Sequence, residues 1–241
     1  MARRPTIEFG FDNTNVRFDR DVPAFKEKLV RSPFDKITNA HPSTNRAKLH
    51  EFEGNKHFVI RKGDETYAEG ELTVGETCHL MKELFDELNQ VYSIPVPVQF
   101  VIAKDPANKT VFYILTQTIS TIEFEELEGE EKIRAVAGIK KIFETVLTYL
   151  EDKGRTNGNF LTDLVDPDQY VYGVLEGDIH PQWYFIDTDA YYSGSEDKLW
   201  EILDGWPESL ESVEEFYSID LRALKEKGAA LKERLFGGDE E

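Results

Sequence analysis

Between residues 161 and 192 the sequence runs from an acidic turn, through two apolar segments, to a second group of carboxylates. This stretch constrains the chain more than any other. Gln169 to Leu175 is aromatic and β-branched, Trp183 to Ile186 is a second apolar run, and Glu176-Gly177-Asp178 lies in the polar linker between them. Two short strands joined by such a linker predict a β-hairpin. A hairpin returns the chain to its start, so the turn Asp163 to Asp168 is expected near Asp187 and Asp189. Side chains alternate along an extended segment, so those two aspartates would point the same way. Gathered carboxylates repel one another unless a cation or a raised pKa relieves them. Two hard oxygen ligands suit Mg²⁺ with a bound phosphate, because that ion keeps several waters and takes few protein ligands.

The rest of the composition sets limits. The chain has 241 residues, 40% of them hydrophobic and 12% aromatic, enough for one large domain or two lobes with a sizeable core. With 28 Lys and Arg against 47 Asp and Glu the net charge is −19, which argues against phosphate-backbone binding as the main activity. Solubility accounts for that acidity; a high-salt host or a basic protein partner are the sharper readings. Cys78 is the single cysteine, so neither an intrachain disulfide nor a four-cysteine zinc site is possible. The five histidines lack metal-ligand spacing. Pro5-Thr6-Ile7-Glu8 stands where a secretory leader would be apolar, and no run approaches transmembrane length. The expected setting is soluble, reducing and cytoplasmic, with no membrane partner.

Taken in order, Ile7 to Phe11 predicts a short strand and Val22 to Val30 a short amphipathic helix. Strands are expected over Asp35 to Thr38, Lys48 to Glu53 and His57 to Arg61, with a turn at His41 to Asn45 and a hairpin signal at Gly54-Asn55. These form an antiparallel meander. Residues 73 to 91 carry apolar positions at helical spacing, including Leu80, Leu84 and Leu88. Strands follow over Val96 to Ala103 and Thr110 to Ile119. A long helix is expected from the acidic segment Glu123 to Glu131 as far as Leu150, with Lys153-Gly154 as its stop and Ile133, Val136, Ile139, Phe143, Val146, Leu147 and Leu150 as its stripe. After the hairpin come helices over Glu196 to Leu203 and Leu210 to Phe236, the latter interrupted at Gly228, and a frayed tail.

This order, an α+β arrangement with a β-rich front half, one helix, a connector, a long helix, an acidic loop and a hairpin closed by aspartate, resembles the two-lobed protein-kinase-like fold. It is most similar to the aminoglycoside and choline phosphotransferase type. The catalytic loop of that family runs Asp-Leu-x-Pro-x-Asn or His-Gly-Asp-x-x-x-x-Asn, and Asp163-Leu164-Val165-Asp166-Pro167-Asp168-Gln169 is similar, with one extra residue and Gln for Asn. Asp187-Thr188-Asp189 matches the metal-binding Asp-Phe-Gly. The resemblance implies an extension over 1 to 33, an N-lobe over 34 to 119, a mostly helical C-lobe with a β-hairpin over 120 to 236, and a tail over 237 to 241. It also implies an ATP- and Mg²⁺-dependent phosphotransferase acting on a small hydroxyl-bearing substrate, with nucleotide near Thr116 to Ile119. Asp163 would orient or deprotonate the attacking hydroxyl. Gln169 and Asp187 would hold Mg²⁺, assisted by Asp189. Phe58-Val59-Ile60-Arg61-Lys62 resembles the Val-Ala-Ile-Lys strand, so Arg61 or Lys62 would hold the α/β-phosphates, paired with Glu76 or Glu83.

The departures from that pattern point to a second reading. His41-Pro42-Ser43-Thr44-Asn45-Arg46 stands at the glycine-rich loop yet has no glycine, leaving Ser43, Thr44 and Arg46 to substitute. Leu161-Thr162 replaces the His or Tyr before the catalytic Asp. A catalytically silent pseudokinase that binds a protein partner through its acidic surface is the alternative. Each candidate also has an ordinary use. Residues 163 to 168 are common turn formers. Asp187 to Asp189 would serve as a helix cap. Arg61, Lys62, Glu76 and Glu83 would be solvated, and Trp183 to Phe185 would be core. Nucleotide-sugar glycosyltransferases and haloacid-dehalogenase-like phosphatases also end an apolar strand in Asp-x-Asp. The first needs a parallel sheet before it, and the second places it at the first strand.

Overall fold

The computed structural model describes residues 8–12, 37–42, 48–52, 58–63, 74–97, 99–105, 108–117, 119–175, 178–187 and 192–237. The fold is α+β, with antiparallel sheets and five α-helices among the described residues. The described residues divide into two units. One comprises those up to Asp86 with Pro97–Ile119 and Leu175–Asp178; the other comprises Glu87–Val96, Ser120–Val174 and those from Ile179 onward. Among the described residues, no helix is long and apolar enough to cross a membrane. The expected helix at 22 to 30, the Gly54-Asn55 turn and the tail's last four residues lie outside the described residues.

The first unit is built on a six-stranded antiparallel sheet of β1 (Glu8–Asp12), β2 (Ile37–Pro42), β3 (Lys48–Phe52), β4 (Phe58–Gly63), β5 (Gln99–Asp105) and β6 (Asn108–Gln117), in the order β1-β5-β6-β4-β3-β2. The expected meander is β2-β3-β4, with Ile37 opposite Phe52 and Leu49 opposite Arg61. Asp105 pairs with Asn108 where β5 gives way to β6. The expected turn at His41 begins later, because β2 stays paired as far as Pro42 opposite Lys48, past an irregularity between Asn39 and His41. Proline is tolerated there because β2 is the sheet's edge. Helix α1 (Val74–Gln90) follows β4, and its Leu84, Phe85 and Leu88 are buried. Val91, expected on its apolar stripe, lies past the helix end and is exposed.

In the second unit, Phe124–Glu126 forms a 3-10 turn, and α2 (Gly129–Thr156) starts later than the acidic segment predicts. Glu130 and Glu131 occupy its first turn, where the helix dipole favours negative charge. Its buried face is Ala135, Ile139, Ile142, Phe143, Val146, Leu147, Tyr149 and Leu150, while Ile133 is exposed two residues before that face begins. The helix does not stop at Gly154. It continues to Thr156 and ends on Asn157 in the left-handed conformation, φ 50° and ψ 36°. A Cβ on Gly154 would sit 2.8 Å from Leu199 Cδ2 and 3.0 Å from Leu235 Cδ1, so that glycine admits two neighbouring helices instead of breaking its own.

The remaining helices are α3 (Glu196–Asp204), α4 (Trp206–Tyr217) and α5 (Arg222–Phe236); α5 packs on α2, α3 and α4. The expected interruption at Gly228 is absent. The break falls at Ser218, which adopts φ 53°, and Gly228 lies inside α5 against Trp206, whose Cδ1 would stand 2.3 Å from an added Cβ. The Trp206 indole N–H donates to the Leu224 carbonyl at 3.0 Å. Its complete burial contributes about 3 kcal/mol of transfer free energy.

Candidate functional site

The predicted hairpin forms. β9 (Tyr170–Leu175) pairs antiparallel with β10 (Gln182–Phe185), Tyr170 opposite Phe185 and Gly173 opposite Gln182, and β7 (Ile119–Thr121) lies on the other side of β9. Trp183, Tyr184 and Phe185 are buried, as expected of core residues. The Trp183 indole N–H donates to the Ala135 carbonyl at 2.7 Å, which ties β10 to α2. Beyond the last strand pair, the Ile186 N–H donates to the Gln169 carbonyl at 2.9 Å. Gln169 and Asp187 are therefore neighbours at the base of the hairpin, as its geometry predicts.

The acidic turn is closed on both flanks. β8 (Phe160–Leu161) precedes it and pairs with β11 (Tyr192–Ser193), Leu161 opposite Tyr192. At its far end Pro167–Gln169 form a 3-10 turn, capped by the Asp166 carboxylate, which accepts the Asp168 N–H at 3.0 Å. Asp166 thus serves the turn, the ordinary use of such residues. Asp163 does not cap it. Its Oδ1 accepts a long 3.5 Å hydrogen bond from the Thr162 hydroxyl, and its side chain is half-buried in the wall of a cavity of about 540 Å³. Burial raises the Asp163 pKa above the ordinary aspartate value, the Asp166 charge adds to the rise, and the Thr162 hydroxyl and Lys198 oppose it.

That cavity lies within the second unit, between the acidic turn and helices α3 and α4. Lys198 and Glu201 enter it from α3, bonded to each other at 3.0 Å, and Ser209 and Ser212 from α4. Val165 and Ile202 give it an apolar part. A carboxylate with a raised pKa beside hydroxyls and one cation can position and accept the proton of a bound hydroxyl group. Sequence reasoning missed Lys198, Ser209 and Ser212, because no spacing relates two helices to a turn some forty residues earlier.

The other predicted residues fall as follows. Helix α3 is capped by Ser195, whose hydroxyl accepts the Lys198 N–H at 3.4 Å, so Asp187 is not that helix's cap. Asp187 is half-buried after β10, while Asp189 lies outside the described residues. For Mg²⁺ the donor chemistry fits: the Gln169 amide oxygen and the Asp187 carboxylate are hard ligands on neighbouring backbone positions. Among the described residues, no group of three or more His, Cys, Asp or Glu is arranged to hold a metal ion. Arg61 and Lys62 occupy β4 opposite Ile114 and Tyr113 of β6. Glu76 and Glu83 lie on α1, with Glu83 exposed. Ser43 and Thr44 lie outside the described residues.

No family model, curated protein or solved structure matches the chain.

Proposed function

We propose that this chain is an ATP- and Mg²⁺-dependent phosphotransferase of the two-lobed protein-kinase-like fold, acting on a small hydroxyl-bearing substrate in a reducing, cytoplasmic setting. The observation that carries this reading is Asp163: a half-buried carboxyl with a raised pKa, in the wall of a cavity, on a turn that the hairpin returns to Asp187. The order of elements also supports it, with a meander, one helix and two strands followed by a long helix, an acidic turn and a hairpin.

In this reading the cavity holds the substrate, and Ser209, Ser212 and Lys198 orient its polar groups. Asp163 accepts the hydroxyl proton as the substrate oxygen bonds to the γ-phosphorus and the bond from that phosphorus to the β,γ-bridging oxygen breaks, releasing ADP, and its raised pKa makes it a better base than an exposed aspartate. Gln169 and Asp187, with Asp189, hold Mg²⁺. When bound, that ion neutralises charge on the triphosphate oxygens. Arg61 or Lys62, oriented by Glu76 or Glu83, neutralises the α/β-phosphates, with Ser43 and Thr44 hydroxyls in place of glycine-loop amides. The protein's contribution is positioning and charge neutralisation, which is most of what phosphoryl transfer requires.

A thermal-shift titration tests it. Mg-ATP at a hundred times its Kd should stabilise the protein by about 2.7 kcal/mol. Asp187→Asn should remove the shift. Asp163→Asn should keep the shift and abolish ATP-dependent phosphorylation of a panel of small alcohols and amino alcohols. A wild-type protein with neither a shift nor phosphorylated product would overturn the proposal.

A further inference from the structure

The backbone of the acidic turn is held by tyrosine hydroxyls from three separate elements. Tyr149 of α2 accepts the Leu161 N–H at 3.0 Å, Tyr170 of β9 donates to the Leu164 carbonyl at 2.8 Å, and Tyr217 of α4 donates to the Pro167 carbonyl at 3.1 Å. The three bonds fall at every third residue and bracket Asp163. Each phenol is itself held: Tyr149 packs edge-on to Tyr92 at 5.1 Å, Tyr170 edge-on to Phe143 at 5.7 Å, and Tyr217 against Phe124 and Trp183 at 4.9 and 5.0 Å. All three residues are at least 96% buried. Burial also drives the three phenols' pKa values far above the ordinary tyrosine range, so each keeps its proton at neutral pH.

A turn whose purpose was only to reverse the chain would be served by Asp166 and the 3-10 hydrogen bonds. Three buried phenols on three elements do something more specific. They fix where the backbone at 161 to 167 lies relative to α2, β9 and α4, and α4 carries Ser209 and Ser212 of the cavity wall. We propose that Tyr149, Tyr170 and Tyr217 are positioning residues for Asp163, which keep its carboxyl in the cavity wall and out of bulk water. Their importance for phosphoryl transfer rests on the function proposed above, whereas their hold on the turn does not. A misplacement of about 1 Å in such a group is enough to cost on the order of a hundredfold in rate.

The test is a carboxyl-carbon NMR titration of Asp163 in the wild type, Tyr149→Phe and Tyr217→Phe, with kinetics in Mg-ATP alongside. Tyr184→Phe is the control: its buried hydroxyl accepts from the Gln182 side chain at 3.0 Å. Removing a positioning hydroxyl should let the turn loosen and Asp163 hydrate, so its midpoint should fall toward 3.8. The kcat should drop by about tenfold or more while KM for ATP stays unchanged. Tyr184→Phe should leave the midpoint where it is. A midpoint unchanged in folded Tyr149→Phe and Tyr217→Phe, or shifted equally in Tyr184→Phe, overturns the inference. If Tyr149→Phe does not fold, Tyr217→Phe decides, because its ring contacts with Phe124 and Trp183 remain. A falling midpoint in a protein without Mg-ATP turnover supports the positioning role and removes the phosphotransferase reading. Turnover with an unmoved midpoint does the reverse.

Discussion

Two turns of the second unit make opposite use of aspartate. At the turn from Ser218 to Leu221, between α4 and α5, the turn's own Asp220 and Glu214 of the preceding helix are both held against donors. Asp220 accepts from the Arg222 guanidinium at 2.7 Å and from the Arg222 N–H at 3.0 Å, and Arg222 holds its carboxyl well below the usual carboxylate range. Glu214 pairs with Lys225 at 2.6 Å and accepts the Leu221 N–H; the lysine first, and then the amide, lower its pKa. In the acidic turn the same structural work falls to neutral tyrosine hydroxyls and to Asp166. Asp163 sits between those supports with a pKa pushed up by burial. The difference separates a carboxylate that stabilises the fold from one whose charge costs free energy to bury, and perturbation of the second kind gathers at functional sites.

The sharpest way to break that contrast is to remove a support of the acidic turn. Tyr149→Ala deletes a fully buried ring and the partner of the Leu161 N–H, and should cost on the order of 3–5 kcal/mol in urea unfolding. In the other turn, Glu214→Ala should cost about 1–3 kcal/mol by leaving the Leu221 N–H without its acceptor. Its pH dependence follows from the lowered pKa. The wild type's advantage should be present above the ordinary value of 4.5 and disappear as pH falls through the folded-state value.

Asp163→Asn should act in the opposite direction. A raised folded-state pKa means the folded protein holds the proton more tightly than the unfolded chain, so ionisation at neutral pH weakens the wild type. The asparagine variant should melt at a modestly higher temperature at pH 7, and the gain should vanish below about pH 3.8, where both states of the wild type are protonated. A stabilising substitution that removes activity is the expected behaviour of a site residue. The smallest effect is expected for Asp220→Asn, whose partner Arg222 is even more exposed than Asp220 itself. Tm at physiological salt should not change measurably, because solvent and salt screen such a pair. A gain in Tm there, like that expected for Asp163→Asn, would erase the distinction between the two turns.

Much of this architecture is legible in local pattern. Alternation and turn residues place β9 and β10, and with them the approach of Gln169 to Asp187, because strand pairing across a short linker leaves few registers. The Leu84 and Leu88 spacing likewise identifies α1. Glycine was read less well. Gly154 and Gly228 look like helix breakers in one dimension, yet both sit inside helices where a Cβ would collide with Leu199 and Leu235 or with Trp206. α2 and α4 end instead on Asn157 and Ser218, both in the left-handed conformation.

Within the acidic turn, turn propensity alone treats Asp163 and Asp166 as equivalent, and only the resemblance to a kinase-like catalytic loop singles out Asp163. Local chemistry determined that this segment would turn and carry charge, since both follow from side chains acting on their own backbone. Which aspartate caps the turn and which faces the cavity was decided by Tyr149, Tyr170 and Tyr217 and by the walls from α3 and α4. Those contacts join residues up to fifty positions apart, and burial, which sets the pKa of Asp163, exists only once they have formed.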